Sequence, residues 1–204
     1  MSVTSPSENV LSKNVLGRLV RSEQFFFLLL YAPASGRTSE PIRGKTWLQK
    51  EMYVISRNIP LLLDEMSYDS FRYGSFSETV EEIKDQYQIS NYVESPKGMI
   101  QLTPKGEKLA LSIWQTIDPE TRKLVQDVKE EFNDMTEDEL LLFMYATYPD
   151  TAESSDVKDR IMRERFPLSV SLLKKGKVSL QKAAELAGMN IIDFTRKAKA
   201  ITKP

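Results

Sequence analysis

The residues whose types and spacing point most clearly to a chemistry are the lysines and arginines near the C-terminus. Residues 166–204 carry eight basic side chains against two acidic ones, a net charge of +6, although the whole chain of 204 residues has a net charge of −1. Clustered cations neutralise phosphates and are typical of nucleic-acid-binding surfaces. The eight basic residues are Lys174, Lys175, Lys177, Lys182, Arg196, Lys197, Lys199 and Lys203.

The same segment has the residue pattern of a helix-turn-helix. Ser179 is a suitable N-cap for a first helix, and Gly188 suits the turn that follows. The pattern predicts helices at 179–187 and 190–200. Three alanines are small enough for the two helices to pack closely, namely Ala183, Ala184 and Ala187.

The second helix would carry the recognition face, with Asn190 as its N-cap. The i, i+3, i+7 spacing turns an apolar face inward, made of Ile191, Phe194 and Ala198. Outward-facing residues of this helix are the candidates for base or phosphate contact. The predicted DNA-contacting residues are Lys174, Lys175, Lys177, Lys182, Asn190, Thr195, Arg196 and Lys199.

Composition excludes much of enzyme chemistry. The chain has no cysteine and no histidine, which excludes disulfides, thiol catalysis, Ser–His–Asp triads and Cys/His zinc sites. The stretch Arg43–Thr46 resembles part of a phosphate-binding loop, but Ser39 stands where that loop needs a glycine. We expect no catalytic residue, no metal, no cofactor and no enzymatic activity; a hydrolase would need carboxylates that the sequence does not pair.

The elements before this basic segment predict a second DNA-binding architecture. Apolar spacing predicts a helix from Val10 to about Ala32, a second through Leu48 and Ile59, and a third that Ser77 caps. Short strands at 92–93 and 99–102 would form one hairpin, and Thr103 would cap the next helix. This order is typical of a winged-helix domain.

Three motifs in this region resemble the uncharacterised YwgA-like winged-helix proteins of archaea and bacteria. They are Gly44-Lys-Thr-Trp-Leu-Gln-Lys50, Tyr73-Gly-Ser-Phe-Ser77 and Ile100-Gln-Leu-Thr-Pro-Lys-Gly106. The resemblance covers about residues 14–117, with Ser75 where that family usually has proline. It implies a winged-helix fold and little chemistry, because the family's function is not established.

Residues 166–201 resemble a small antitoxin-like helix-turn-helix family of unknown function. The shared pattern is L-x-x-G-K-x-S-x-x-K-A-A-E-L-A-G, which begins at Leu173 and ends at Gly188, followed by a phenylalanine at Phe194. This resemblance implies a helix-turn-helix and suggests DNA binding or an antitoxin-like role. A helical cap whose lysines only increase solubility is the alternative.

Charge argues against DNA reading by the third helix of the winged-helix part. Residues 77–88 hold four acidic side chains and one lysine, a net charge of −3. Phosphates would repel such a helix. The hairpin tip offers only Lys97 as a weak candidate contact. We expect this half of the chain to serve dimerisation or partner binding.

Helices are expected throughout the remainder of the chain, at Pro119–Phe132, Thr136–Tyr148, Ser154–Arg165 and 168–175. The predicted fold is mainly α-helical. A winged helix-turn-helix domain with one small β-hairpin would occupy residues 1–117, and a helical connector with the C-terminal helix-turn-helix would occupy 118–204.

The sequence thus predicts a DNA-binding transcriptional regulator that forms a homodimer and binds double-stranded DNA. The alternative is a protein-interaction module, an antitoxin-like partner with little DNA affinity. The longest apolar run, Phe25–Ala32, is far shorter than the ~20 residues that cross a bilayer. The N-terminus lacks the basic and cleavage-site features of a secretory signal, so a cytoplasmic protein without membrane association is expected.

Overall fold

Side-chain caps set many of the helix boundaries in the computed structural model, which describes residues 17–71, 74–152 and 155–202. The hydroxyl oxygens of Ser77, Thr103 and Thr136 each accept a hydrogen bond from the backbone N–H three residues further on. Proline at the first helical position marks two further starts, Pro60 and Pro119, and Pro104 follows the Thr103 cap. The structure confirms the predicted caps and the start at Pro119. The second helix was predicted to run through Ile59, but it ends at Arg57 and a separate helix begins at Pro60.

The described residues are mainly helical. Their α-helices are α1 (Arg21–Tyr31), α2 (Lys45–Arg57), α3 (Pro60–Met66), α4 (Glu78–Ile89), α5 (Pro104–Thr116), α6 (Pro119–Phe132), α7 (Glu137–Thr147), α8 (Lys158–Arg163), α9 (Arg165–Lys174), α10 (Leu180–Ala187) and α11 (Ile191–Thr202). Single 3-10 turns occur at Pro96–Gly98 and Pro149–Ala152.

Two short antiparallel strand pairs accompany the helices. Strands β3 (Val93–Glu94) and β4 (Gln101–Leu102) form the predicted hairpin, with Val93 opposite Leu102. Ile42 joins it through backbone hydrogen bonds of 2.9 and 2.8 Å to Ile100.

The prediction of a single hairpin is wrong, because β1 (Asp69–Phe71) and β2 (Gly74–Phe76) form a second one. Its strands have three residues each, too short for their alternation to stand out in the sequence. The predicted third helix follows it as α4, while the winged-helix assignment itself stays a prediction.

The chain forms two compact units. Unit 1 comprises the described part of Met1–Tyr68 together with Ser77–Asn133, and unit 2 comprises Asp69–Phe76 together with Asp134–Pro204. The predicted boundary after residue 117 therefore differs from the observed one, since α6 belongs to unit 1. Its buried face, with Val125, Val128 and Phe132, packs against α1 and α2.

Unit 1 is built around α1, whose residues 25–30 are all buried. Phe27 contacts Tyr87 of α4 edge-to-face, with ring centroids 4.6 Å apart. The sequence predicts a helix that runs without a break from Val10, but within the described residues α1 begins at Arg21, after an extended Val20 whose N–H donates to Glu23. Val10, Leu11 and Val15 lie outside the described residues.

Charged side chains also enter the core of unit 1. Lys129 of α6 is fully buried and donates hydrogen bonds of 2.9 Å to the carbonyl oxygens of Leu30 and Ala32. These carbonyls lie at the C-terminus of α1, where a cation is favourable. Burial lowers the pKa of Lys129 to about 8, against the influence of Glu51 and Glu40.

Glu51 of α2 is equally buried, and neither of its carboxylate oxygens has a hydrogen-bond partner among the described residues. Burial raises the pKa of this carboxyl to about 8, although the charge of Lys129 acts in the opposite direction. Unit 1 therefore holds an acid and a base in its core, and a second lysine, Lys50, is also buried there, where burial lowers its pKa to about 7.

The helices of unit 2 follow the predicted order with adjusted ends. The expected helix at Ser154–Arg165 is shorter, since α8 covers Lys158–Arg163 and a break at Glu164 precedes α9. Ser154 lies outside the described residues. The predicted segments near 168–175, 179–187 and 190–200 correspond to α9, α10 and α11.

Candidate nucleic-acid interface

Three helices of unit 2, α9, α10 and α11, position the residues predicted to contact DNA. Phe194 of α11 is fully buried and meets Phe166 of α9 edge-to-face, with ring centroids 5.6 Å apart. The small residues expected between the helices, Ala183, Ala184 and Ala187, are buried as predicted. Buried apolar side chains of α9 and α10 therefore pack beneath α11.

The turn between α10 and α11 has the geometry that a helix-turn-helix needs. Ser179 caps α10 by accepting a 3.1 Å hydrogen bond from the N–H of Lys182. Gly188 closes it in the left-handed conformation, with φ at 64°. The N–H groups of Gly188 and Met189 donate to the carbonyls of Glu185 and Ala184, at 2.9 Å each.

Arg165 holds this turn from α9. Its Nε donates a 3.0 Å hydrogen bond to the carbonyl of Leu186, and Nη2 lies 3.5 Å from that of Glu185. A Cβ at position 188 would come within 2.1 Å of Nη2. Glycine suits position 188 because of its left-handed backbone, and any larger residue would have to displace the Arg165 guanidinium.

Asn190 caps α11, as predicted. Its Oδ1 accepts a 2.9 Å hydrogen bond from the N–H of Asp193, and its Nδ2 donates a 2.6 Å hydrogen bond to the Asp193 carboxylate. The side chain is thereby committed to the start of the helix, so Asn190 orients α11 and is a weaker candidate for base contact.

The outward face of α11 presents one apolar and two basic side chains at i, i+4, i+7 spacing. Ile192 is 74% exposed, the Arg196 side chain is 79% exposed, and Lys199 is exposed. The guanidinium of Arg196 is hydrogen-bonded to the Asp193 carboxylate on the same helix. We name these three residues the α11 stripe.

Two other predictions for α11 differ in detail from the structure. Thr195 is half-buried, and its hydroxyl donates a 2.7 Å hydrogen bond to the carbonyl of Ile191. Ile191, predicted to point inward, is 43% exposed, whereas Phe194 is fully buried against Phe166. Ala198 is half-buried.

Two of the predicted phosphate contacts serve the structure of unit 2. The Nζ of Lys175 lies 2.7 Å from the buried carboxylate of Glu139 on α7, which also accepts hydrogen bonds from Ser171 and Thr136. Burial raises the pKa of Glu139, but these hydrogen bonds outweigh it and the net shift is downward. Lys177 lies 3.2 Å from Asp134 and is mostly covered.

The remaining cations of this segment lie around the three helices. Lys174 at the end of α9 is exposed. Lys182 on α10 lies 4.0 Å from Glu185 and above the ring of Phe143. Lys197 lies 4.2 Å above the ring of Phe166. Lys203 lies outside the described residues.

The α4 helix of unit 1 has the opposite character. Its exposed residues include Glu78, Glu82 and Asp85. Lys84, its only cation, is bound to Glu81 at 2.8 Å and to Asp85 at 3.1 Å. Lys97 is exposed at the tip of the β3–β4 hairpin with no other cation in that 3-10 turn. A DNA phosphate would meet mainly negative charge at α4.

Sequence reasoning missed two residues of this interface. Ile192 lies outside the predicted apolar face. Its i, i+4, i+7 spacing with Arg196 and Lys199 indicates that the three side chains share one face of the helix. Arg165 carried no signal, because its partners are backbone carbonyls 20 and 21 residues away.

The part of the chain that the structure describes contains no group of three or more acidic side chains placed to hold a metal ion. Nor does any of its helices combine the length and apolar character needed to span a bilayer.

Comparison of the chain with protein-family models, with curated proteins and with solved structures finds no match in any of the three. The two family resemblances therefore stay predictions, carried by the motifs quoted above.

Proposed function

We propose that the chain is a DNA-binding regulator that docks α11 of unit 2 into the major groove of duplex DNA. The observation that carries this proposal is the α11 stripe, in which Ile192, Arg196 and Lys199 share the exposed face of a helix held by a capped turn. In helix-turn-helix proteins the second helix enters the groove in this way.

The distribution of cations supports α11 over its neighbours as the contact surface. Arg196 and Lys199 lie one turn apart on an exposed face, and the Arg196 side chain stays 79% exposed although it is paired with Asp193 on its own helix. The side chains of Lys175 and Lys177 are bound to Glu139 and Asp134 and are only 33% and 17% exposed. The proposed contacts are therefore Arg196 and Lys199, with Lys174 and Lys182 at the flanks. Thr195 and Asn190 stabilise the helix backbone in the free protein.

The unit 1 helix α4 is a poor competitor for this role. Binding through α4 would place its exposed carboxylates next to DNA phosphates, which repel them. It would also lack the counterion release by which lysine and arginine favour DNA binding. We assign unit 1 to homodimer formation, which would present two α11 helices to half-sites about one helical turn apart.

The test is a salt-titrated binding measurement on duplex DNA with the full-length chain. Arg196→Ala combined with Lys199→Ala removes two phosphate contacts. We expect weaker binding to every duplex and a slope of log affinity against log salt that is shallower by about 2. Fluorescence anisotropy with a random-sequence duplex at several salt concentrations measures both quantities.

Lys123→Ala is the matched control, because Lys123 is an exposed cation paired with an acidic residue on its own helix, as Arg196 is. Its slope should equal that of the wild type. An unchanged slope for the double variant would refute the assignment of α11 as the DNA-binding helix.

A protein-interaction module is the second candidate, favoured by the exposure of Ile191 and Ile192 on α11. Under this hypothesis the basic helix would dock on an acidic protein. It predicts no retention of duplex DNA even at low salt, an outcome that the same titration detects.

A further inference from the structure

The exposed isoleucine of the α11 stripe shares its helix face with two cations, and phosphate binding does not account for it. Ile192 is 74% exposed in the first turn of α11, while the aromatic residue two positions later is fully buried. An isoleucine so placed gains nothing from contact with water. We propose that Ile192 is a specificity-determining residue that contacts the C5-methyl group of thymine in the major groove. This inference rests on the proposed function.

The position of Ile192 along the helix favours a base contact over a backbone contact. Residues in the N-terminal turn of a recognition helix reach the base edges, and Ile192 is the second residue of α11. Arg196 and Lys199 follow one and two turns later, where a helix lying in the groove meets phosphates. Thymine is the only base with a methyl group in that groove, and an apolar side chain recognises it.

The surroundings of Ile192 favour DNA over a protein partner. Protein interfaces are depleted in lysine, although they are enriched in arginine. The stripe includes Lys199, so a lysine lies on the same helix face as Ile192. The proposed contact is specific to DNA, because the major groove of an RNA duplex is too narrow for a helix and uracil lacks the methyl group.

The experiment replaces thymine by deoxyuridine, which lacks only this methyl group. A preferred duplex is first selected by the full-length wild-type chain from a random-sequence pool, and each thymine is then replaced in turn. Loss of one buried methyl contact, about 0.8 kcal/mol, corresponds to an affinity about fourfold lower. We expect this loss at one or two positions for the wild type and a loss below about 1.5-fold for Ile192→Ala.

Ile89→Ala is the matched control, since Ile89 is 88% exposed but lies on the acidic α4 of unit 1. It should retain the fourfold effect of deoxyuridine. Circular dichroism of both variants verifies that they fold, as expected for substitutions of exposed side chains.

The outcomes separate this inference from the proposed function. Salt-dependent duplex binding without any effect of deoxyuridine, or with an equal effect in Ile192→Ala, overturns the inference and leaves DNA binding intact. Failure to recover any duplex overturns both. If Ile192→Ala leaves DNA affinity unchanged but dissociates an oligomer in sedimentation velocity, Ile192 belongs to a protein interface and the inference is wrong.

Discussion

The two units of this chain differ in where two of their most informative groups of cations lie. In unit 1 the cation of Lys129 lies entirely inside, hydrogen-bonded to the carbonyls that end α1, with the buried carboxyl of Glu51 nearby in charge interaction. In unit 2 the core around Phe166 and Phe194 is apolar, and Arg196 and Lys199 lie outside.

This difference shows that net charge alone does not locate a binding surface. A buried lysine satisfies backbone acceptors and stabilises the fold. An exposed lysine contributes little to stability and is available to a ligand. Only the position of a lysine in the fold shows whether it stabilises the structure or is available to a ligand.

The largest expected effect is the loss of the apolar core of unit 2. Phe194→Ala would leave a cavity beside Phe166 and reduce the free energy of unfolding by about 4 kcal/mol. Urea unfolding followed by far-ultraviolet circular dichroism measures the change. The exposed pair Arg196→Ala and Lys199→Ala should change it by less than about 0.5 kcal/mol, and equal losses in both variants would contradict the comparison.

The next effect tests the charged core of unit 1. Lys129→Met preserves much of the side-chain volume but leaves two buried carbonyls without a donor. We expect a loss of about 3 kcal/mol in the free energy of unfolding. Both tryptophans, Trp47 and Trp114, lie in unit 1, so tryptophan fluorescence reports this unit.

Lys123→Met provides the control, because it changes an exposed lysine of the same helix. Its effect should stay below about 0.5 kcal/mol. A small effect for Lys129→Met as well would show that the buried cation adds little to unit 1.

A smaller effect is expected at the turn that orients α11. Gly188→Ala forces an L-residue into the left-handed conformation and displaces the guanidinium of Arg165. We expect the free energy of unfolding to fall by about 2 kcal/mol, half of it because of the backbone conformation alone. Gly176→Ala has a similar φ of +69° but no atom within 4 Å of the added Cβ, so it should lose only about 1 kcal/mol.

Thermal or urea unfolding of the two glycine variants gives the comparison. If Gly176→Ala lowers the free energy of unfolding as much as Gly188→Ala does, then Arg165 does not help to determine the turn.

The last effect depends on pH. Burial raises the pKa of Glu51 to about 8 from an ordinary value of 4.5, so the folded chain retains a proton that the unfolded chain releases. The Glu51 carboxyl therefore reduces stability as the pH rises from about 5 to about 8, by at most about 1.4 kcal/mol per pH unit.

Glu51→Gln lacks this titration, so its stability relative to the wild type should increase over the same pH range. Urea unfolding at pH 5, 6, 7 and 8 measures the difference. A constant difference for Glu51→Gln would mean that its carboxyl titrates normally.

Much of the candidate interface could be predicted because its signals are local. The caps Ser179, Asn190 and Thr136 bond to backbone groups only three residues away, so their residue types determine the helix starts. In the same way, the residue type of Gly188 predicts the turn, and those of the three buried alanines predict close packing of the helices. The β1–β2 hairpin, with three-residue strands, carried no comparable signal.

The sequence by itself determined the helical character, the helix starts and the location of the basic segment, because capping and helical spacing act over a few residues. The tertiary structure alone decided which cations are exposed. Lys175 is bound to Glu139, 36 residues away, and Lys129 to the carbonyl of Leu30, 99 residues away. Such partners meet only when the helices pack, and that packing leaves Arg196 and Lys199 on the surface.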